Sequence, residues 1–248
     1  MIYCVLVVLA SVVAGAQPFW IGVLEAASSG FWSLVGCRSE TDDIETDMLR
    51  TVRFGTVWEV EARIRNAGNE LVDRCGYSAL RIAIDRGESE LVELLLQNGV
   101  DVKQDTERLI GWTPISYAAE EGVVEIVELL IRFGADINQR DRLGLTALHF
   151  AAKLESTDII NLLIGNNAEL NHQSIISGCT PLHFATMSGR VGNVNALINA
   201  GAELGPRSHG GETALDMARA LRVPSIAAQM IQILEEAEDA GKGDHVLK

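Results

Sequence analysis

The sequence predicts an all-α repeat protein, a solenoid of stacked helix–turn–helix units with hairpin-like fingers. Of the 248 residues, 48% are hydrophobic but only 5% are aromatic, and this aliphatic mixture favours packed helices over a β-sandwich. Similar segments recur five times, at spacings of 35, 33, 34 and 33 residues. A second set of markers recurs at 35, 33 and 34 residues. Two registers that agree over five units indicate a repeat architecture.

The first set of markers predicts where the first helix of each unit begins. The five segments start at Ser78, Thr113, Thr146, Thr180 and Thr213. A threonine hydroxyl can accept a hydrogen bond from the first amide groups of a helix, and a proline directly after it, such as Pro114, fits the first helical position. Gly122 and Gly189 are free to adopt the left-handed turn that ends a helix. We therefore expect these first helices to be short.

The second set of markers predicts where the second helix of each unit ends. These markers are Gly99, Gly134, Asn167 and Gly201. In the second unit the apolar residues Ile126, Val127, Leu130 and Ile131 precede the marker, and their helical spacing places them on one face. Extended, turn-rich segments such as residues 136–141 follow. These segments are expected to project as fingers towards the next unit.

The repeated motif carries a family resemblance. The segment Thr180-Pro181-Leu182-His183-Phe184-Ala185 resembles the signature of the ankyrin-repeat family, and the resemblance runs from about Thr46 to Glu235. It implies a module that binds another protein through a concave face of fingers and first helices, without enzymatic activity. It also implies that His149 and His183 are structural residues near the helix caps. Cofactors and bound metals are not expected.

The end units of a solenoid must differ from the internal ones because their outer faces meet solvent. The segment before the first marker lacks the Thr-Pro-Leu-His motif, and Arg222 replaces the usual glycine in the last unit. We expect a signal peptide at 1–16, a flexible lead at 17–45, an N-terminal capping repeat at 46–74, five repeats at about 75–107, 108–141, 142–173, 174–207 and 208–235 with the last a cap, and an acidic tail at 236–248.

Two departures from the repeat pattern indicate local weakness. Glu155 occupies the position of Gly122 and Gly189, so the third unit must turn differently or accept strain of about 1 kcal/mol. Asn193 stands where other units have leucine or isoleucine, beside Gly192. The fourth unit is therefore expected to be the softest, with residues 191–199 exchanging fastest among the internal helices. On this interpretation Asn193→Leu stabilises the protein by about 1 kcal/mol.

The first 24 residues are apolar and bear on localisation. No charge occurs from Ile2 to Leu24, and Ala14-Gly15-Ala16 fits the small-x-small pattern that precedes a signal-peptidase cut. We expect cleavage that leaves Gln17 first, and a secreted or periplasmic protein. Three alternatives stay open. Residues 2–24 are long enough to span a bilayer of about 30 Å as an uncleaved anchor, they could form a buried helix, or translation could start at Met48 and give a cytoplasmic protein.

Charge and motif content exclude several classes of function. The net charge of −14 would repel a phosphate backbone, so nucleic acid is not an expected partner. His149 and His183 are 34 residues apart and therefore lie on neighbouring units, whose packed helices are about 8–10 Å apart. Two ligands of one zinc ion must each lie about 2 Å from it, so this pair does not indicate a zinc site. The four cysteines are too irregularly spaced to indicate a zinc site or a disulfide framework. The sequence also has no catalytic-triad motif and no glycine-rich phosphate loop.

The fingers supply the candidate partner-binding residues. The stretch from Gly99 to Gly111 is two residues longer than that from Gly134 to Gly144, and apolar residues recur at corresponding tips beside arginine and histidine. This pattern predicts a mixed apolar and cationic strip for an extended acidic or amphipathic segment. The alternative is that these side chains pack finger against finger. With exposed first-helix positions added, the expected site is Arg108, Leu109, Ile110, Trp112, Glu120, Glu121, Arg140, Arg142, Leu143, Leu145, Lys153, His172, Gln173, Ile175, Ile176 and Met187, on a protein expected to be a monomer.

Overall fold

The structure is a computed structural model that describes residues 40–67, 69–103 and 111–244. The predicted signal peptide lies outside these ranges, as do most of the flexible lead and the finger residues Arg108, Leu109 and Ile110. No strand occurs in the described ranges. They contain twelve helices: α1 Glu40–Phe54, α2 Val57–Ala67, α3 Asn69–Asp85, α4 Ser89–Gln97, α5 Pro114–Glu121, α6 Val124–Arg132, α7 Ala147–Ala151, α8 Asp158–Gly165, α9 Pro181–Met187, α10 Val191–Asn199, α11 Ala214–Arg219 and α12 Pro224–Asp244.

The helices form successive pairs that stack into a solenoid. The first helices α3, α5, α7, α9 and α11 pack in sequence on one side, and the second helices α4, α6, α8, α10 and α12 pack in sequence on the other. Aliphatic residues at the interfaces, such as Leu80, Leu130 and Leu163, are fully buried. Since no pair can cover its apolar face alone, each unit is stabilised by its neighbours. The structure confirms the predicted fold class.

The predicted helix ends are confirmed where the repeat motif is complete. Thr113 Oγ1 accepts a hydrogen bond from Ser116 N at 3.2 Å at the start of α5. Gly122 closes α5 in the left-handed conformation, with φ of 78°. Asn167 follows α8 with φ of 64° and is the one non-glycine residue with positive φ in the described ranges. Asparagine tolerates this conformation better than most residues, so it can replace the glycine of other units.

Three expected boundaries fall inside helices. Helix α1 begins at Glu40, so residues 40–45 of the expected flexible lead are helical. Helix α3 begins at Asn69 and runs across the expected boundary between residues 74 and 75. The sequence placed the start of this helix at Ser78, but without a Thr-Pro pair nothing there interrupts the helix. Helix α12 continues past residue 235 to Asp244.

The third unit turns differently because it lacks the glycine. Helix α7 spans only five residues, and the chain then leaves the helix before Glu155. Asn193 of α10 is fully buried, and its Nδ2 donates to the carbonyl oxygens of Ala152 at 3.1 Å and Leu154 at 2.7 Å. The expected softness of the fourth unit stays a prediction, while Asn193 has hydrogen-bond partners one unit earlier. Its amide stabilises the altered turn of the third unit.

No helix in the described ranges, the long α12 included, combines the length and the apolar character needed to cross a bilayer.

Candidate protein-binding surface

Each complete finger is closed by its own backbone. Asp141 N donates to Leu145 O, Ser174 N to Cys179 O and Ser208 N to Glu212 O, each at 2.9 Å. The Asp141 carboxylate is buried and accepts hydrogen bonds from the Leu143 and Leu145 amides at 2.8 Å. Burial raises the pKa of Asp141 to about 6, although these two amides oppose the rise. This carboxylate therefore shapes the finger and is not available to a partner.

Neighbouring fingers are joined by backbone hydrogen bonds and close packing. Ile175 N donates to Leu143 O at 2.8 Å, and His209 N donates to Ser177 O at 2.7 Å. A Cβ atom on Gly144 would lie 2.8 Å from Ile175 Cγ1, so only glycine allows this approach. The fingers therefore form a continuous edge whose backbone is fixed before any partner arrives.

Two of the predicted apolar tip residues are exposed. Ile175 is 67% exposed and Ile176 is 62% exposed. Leu143 and Leu145 are half-buried, and Leu145 packs against the core. Packing of tip residues within the protein thus accounts for Leu145 but not for the two isoleucines.

Trp112 lies within the stack. Its ring contacts Tyr117 at a centroid distance of 5.6 Å and Phe150 at 5.3 Å, and its carbonyl accepts a hydrogen bond from the Tyr77 hydroxyl at 3.1 Å. The side chain is half-buried and packs against the core. Substitution of Trp112 would therefore change the stability of the protein as well as any binding.

The first helices contribute a row of side chains one unit apart. Glu120 of α5 and Lys153 after α7 form an ion pair at 2.7 Å, and Met187 of α9 follows 34 residues later with 42% exposure. Glu121 is exposed. Partial desolvation raises the pKa of Glu121, and the nearby Asp85 and Glu120 carboxylates raise it further. The row is therefore acidic at its N-terminal end and apolar at Met187.

The remaining predicted residues place cations along the finger edge. Arg140 and Arg142 are exposed. His172 is half-buried. Burial is the main cause of its lowered pKa, and the nearby Arg140 charge lowers the pKa further. Gln173 Nε2 donates to Arg207 O at 3.0 Å and so joins two fingers. The structure brings these residues together with Ile175 and Ile176.

Sequence reasoning missed Arg207 and His209. Both are exposed on the next finger, and His209 Nδ1 contacts Ile176 O at 3.0 Å. The signal for them was the register itself, since His209 stands 34 residues after Ile175 and Arg142 stands 33 before it.

The two motif histidines are structural. His149 is fully buried; its Nδ1 accepts from Thr146 N at 3.1 Å, which leaves Nε2 protonated to donate to His172 O at 3.0 Å. His183 repeats this arrangement with Thr180 N at 3.1 Å and Glu212 O at 3.2 Å. Burial lowers the pKa of His149 to about 4. Each neutral imidazole thus connects a helix start to the next unit.

Cys75 and Cys179 lie in the described ranges, and both are buried. Burial raises the pKa of the Cys75 thiol to about 11, and the carboxylate of Glu45 contributes. Burial also raises the pKa of Cys179. Neither sulfur is therefore a reactive thiolate near neutral pH. The described ranges hold no group of three or more histidine, cysteine or acidic side chains that could bind a metal ion.

Together these features define a class: an α-helical repeat protein whose first helices pack in sequence and whose fingers are joined by backbone hydrogen bonds. The family model for ankyrin repeats matches the chain in three overlapping stretches, residues 51–141, 80–174 and 133–208. The chain belongs to the ankyrin-repeat family. A search of curated proteins found no match. Ankyrin repeats generally mediate protein–protein interaction, and proteins built from them are typically not enzymes.

Proposed function

We propose that this protein binds a segment of a partner protein on the face formed by its finger edge and its first helices. The observation that carries the proposal is the exposure of Ile175 and Ile176, at 67% and 62%, on adjacent positions of a rigid finger. Met187 adds an exposed apolar side chain on a first helix.

The energetics favour a binding role for these isoleucines. Full burial of an isoleucine side chain stabilises a folded or bound state by about 1.5–3 kcal/mol. Because Ile175 and Ile176 are mostly exposed in the free protein, most of this stabilisation is absent there. A partner that covers both would therefore gain on the order of 2–4 kcal/mol from this contact alone.

The finger backbone is already ordered, which lowers the cost of binding. Ile175 is fixed by its amide hydrogen bond to Leu143 O, and the carbonyl of Ile176 contacts His209. A preformed surface loses less conformational entropy on association than a mobile loop does. The expected partner segment is therefore the component that becomes ordered.

The experiment is a selection of random displayed peptides on the full chain. We expect selected peptides to lose binding to Ile176→Asp, because a carboxylate at that tip cannot replace the apolar contact. Val223→Asp is the matched control, since Val223 is 50% exposed and lies in the turn before α12, away from the fingers. Melting temperatures should be unchanged in both variants. Selected peptides that bind Ile176→Asp as tightly as the wild type would contradict the proposal.

A further inference from the structure

The finger edge has the opposite charge from the protein as a whole. The net charge is −14, yet the tip segments 139–144, 172–178 and 205–211 contain three arginines and two histidines. Their one acidic residue is Asp141, which is 5% exposed and bound to the finger backbone. Three exposed arginines, Arg140, Arg142 and Arg207, therefore lie on the edge that also presents Ile175 and Ile176.

The cations and the isoleucines alternate along the edge in a fixed register. Arg142, Ile175 and His209 each lie over the left-handed glycine of the preceding finger, at Gly111, Gly144 and Gly178. Equivalent tips thus carry, in order, a cation, an apolar side chain and an imidazole. Arg140 adds a second cation to the first tip. Arg207 adds a cation to the third tip, where its guanidinium also lies 3.8 Å from the Asp216 carboxylate.

The spacing of the tips determines which partner fits. Packed helices lie about 8–10 Å apart, and an extended chain advances about 3.3 Å per residue, so an extended segment along the edge meets a new tip about every third residue. We propose that the finger edge binds an extended acidic segment in which a large apolar residue has a carboxylate three residues before it and another three residues after it. This inference rests on the proposed function and specifies its partner.

The charges and the apolar contact have separate roles in this site. The apolar residue of the partner segment packs on Ile175 and Ile176. One of its carboxylates pairs with Arg140 and the other pairs with Arg207. Exposed ion pairs are weak and screened by salt, so each carboxylate should change the affinity by about two- to fivefold. The charges therefore select the sequence of the segment, while the isoleucines hold it.

The test uses three synthetic peptides and the full chain, with dissociation constants measured by fluorescence anisotropy at low and high salt. The first peptide has the acid-x-x-Leu-x-x-acid pattern, the second has lysine at both acidic positions, and the third moves each acid next to the leucine. We expect the first to bind at least several-fold more tightly than the other two, with an advantage that shrinks at high salt.

A charge reversal on the protein gives the second measurement. Arg140→Glu should weaken binding of the acidic peptide and strengthen binding of a peptide with lysine at one acidic position. Arg132→Glu is the matched control, because Arg132 is exposed at the end of the second helix α6 and makes the same change in net charge. Thermal melts of both variants should match the wild type.

Equal binding of the three peptides, or equal effects of Arg140→Glu and Arg132→Glu, would overturn the inference. A different outcome would contradict the proposed function itself. If selected peptides depend on Ile176 but show no acid-x-x-apolar-x-x-acid pattern, the face binds protein and the partner chemistry is wrong. If no selected peptide depends on Ile176, both are wrong.

Discussion

His149 shows how a single buried side chain makes stability depend on pH. Its imidazole is fully buried with both nitrogens hydrogen-bonded, and its pKa falls from 6.5 to about 4. The folded protein therefore stays unprotonated at His149 while the unfolded chain takes up a proton below pH 6.5. Stability contributed by His149 is complete above pH 6.5 and is lost as the pH falls towards 4.

We expect wild-type protein to lose about 2 kcal/mol of unfolding free energy through His149 between pH 7 and pH 5. Asp141 acts in the opposite direction, because its raised pKa makes stability fall as the pH rises from 3.8 to 6. Comparison with His149→Gln cancels the Asp141 contribution. Urea unfolding of both proteins at the two pH values measures the difference. An equal change in wild type and variant would show that His149 is not the source.

At the scale of helices, two departures from the repeat pattern compensate each other. Without glycine at position 155, helix α7 ends early and leaves carbonyl groups facing α10. Asn193 Nδ2 donates to three of them, on Ala151, Ala152 and Leu154, and Arg190 Nε donates to Lys153 O at 2.9 Å. The polar residue in the apolar position of α10 thus donates to carbonyl groups of the turn that lacks the glycine.

Asn193→Leu is therefore expected to destabilise the protein, the reverse of the expectation from sequence. Carbonyl groups left without a donor cost about 1–3 kcal/mol, and the loss is partly offset because Asn193 Oδ1 is buried without a hydrogen-bond partner. Urea unfolding should show a net loss of about 1 kcal/mol or more. Asn195→Leu in the same helix is the control.

The double variant separates compensation from simple packing. In a Glu155→Gly background the turn can adopt the left-handed geometry of other units, so Asn193→Leu should cost less there than in the wild type. Equal costs in the two backgrounds would mean that the two positions act independently.

At the scale of the whole molecule, the N-terminal helix pair bears on where the chain starts. Met48 is fully buried in the middle of α1. A chain starting there would lack Asp47 of this helix, which pairs with Arg63 of α2. Such a protein would have an incomplete cap on its first stacked unit.

We therefore expect the natively produced protein to begin before Glu40, with Gln17 as the first residue if the signal peptide is cut. Mass spectrometry of the intact protein measures this directly. A mass that corresponds to a start at Met48 would contradict both the expected signal peptide and the need for a complete α1. A mass that retains residues 2–24 would support the anchored alternative.

The sequence predicted part of the candidate surface for reasons that the structure makes clear. Register along the repeat placed Arg140, Ile175 and Ile176 at finger tips, because the 33- and 34-residue spacings carry over directly to positions in space. It did not distinguish the exposed Ile176 from the half-buried Leu145, since both are apolar residues beside a turn. Exposure depends on contacts with the neighbouring finger.

The sequence by itself determined the fold, the unit repeat and the helix caps where the motif is complete. These follow from local backbone chemistry repeated at a constant period. The tertiary structure alone decided which tip residues face solvent and why Asn193 is polar, because both depend on atoms about one repeat distant. Local propensity can place a helix end at Gly122, but only packing brings Asn193 to the open carbonyls beyond α7.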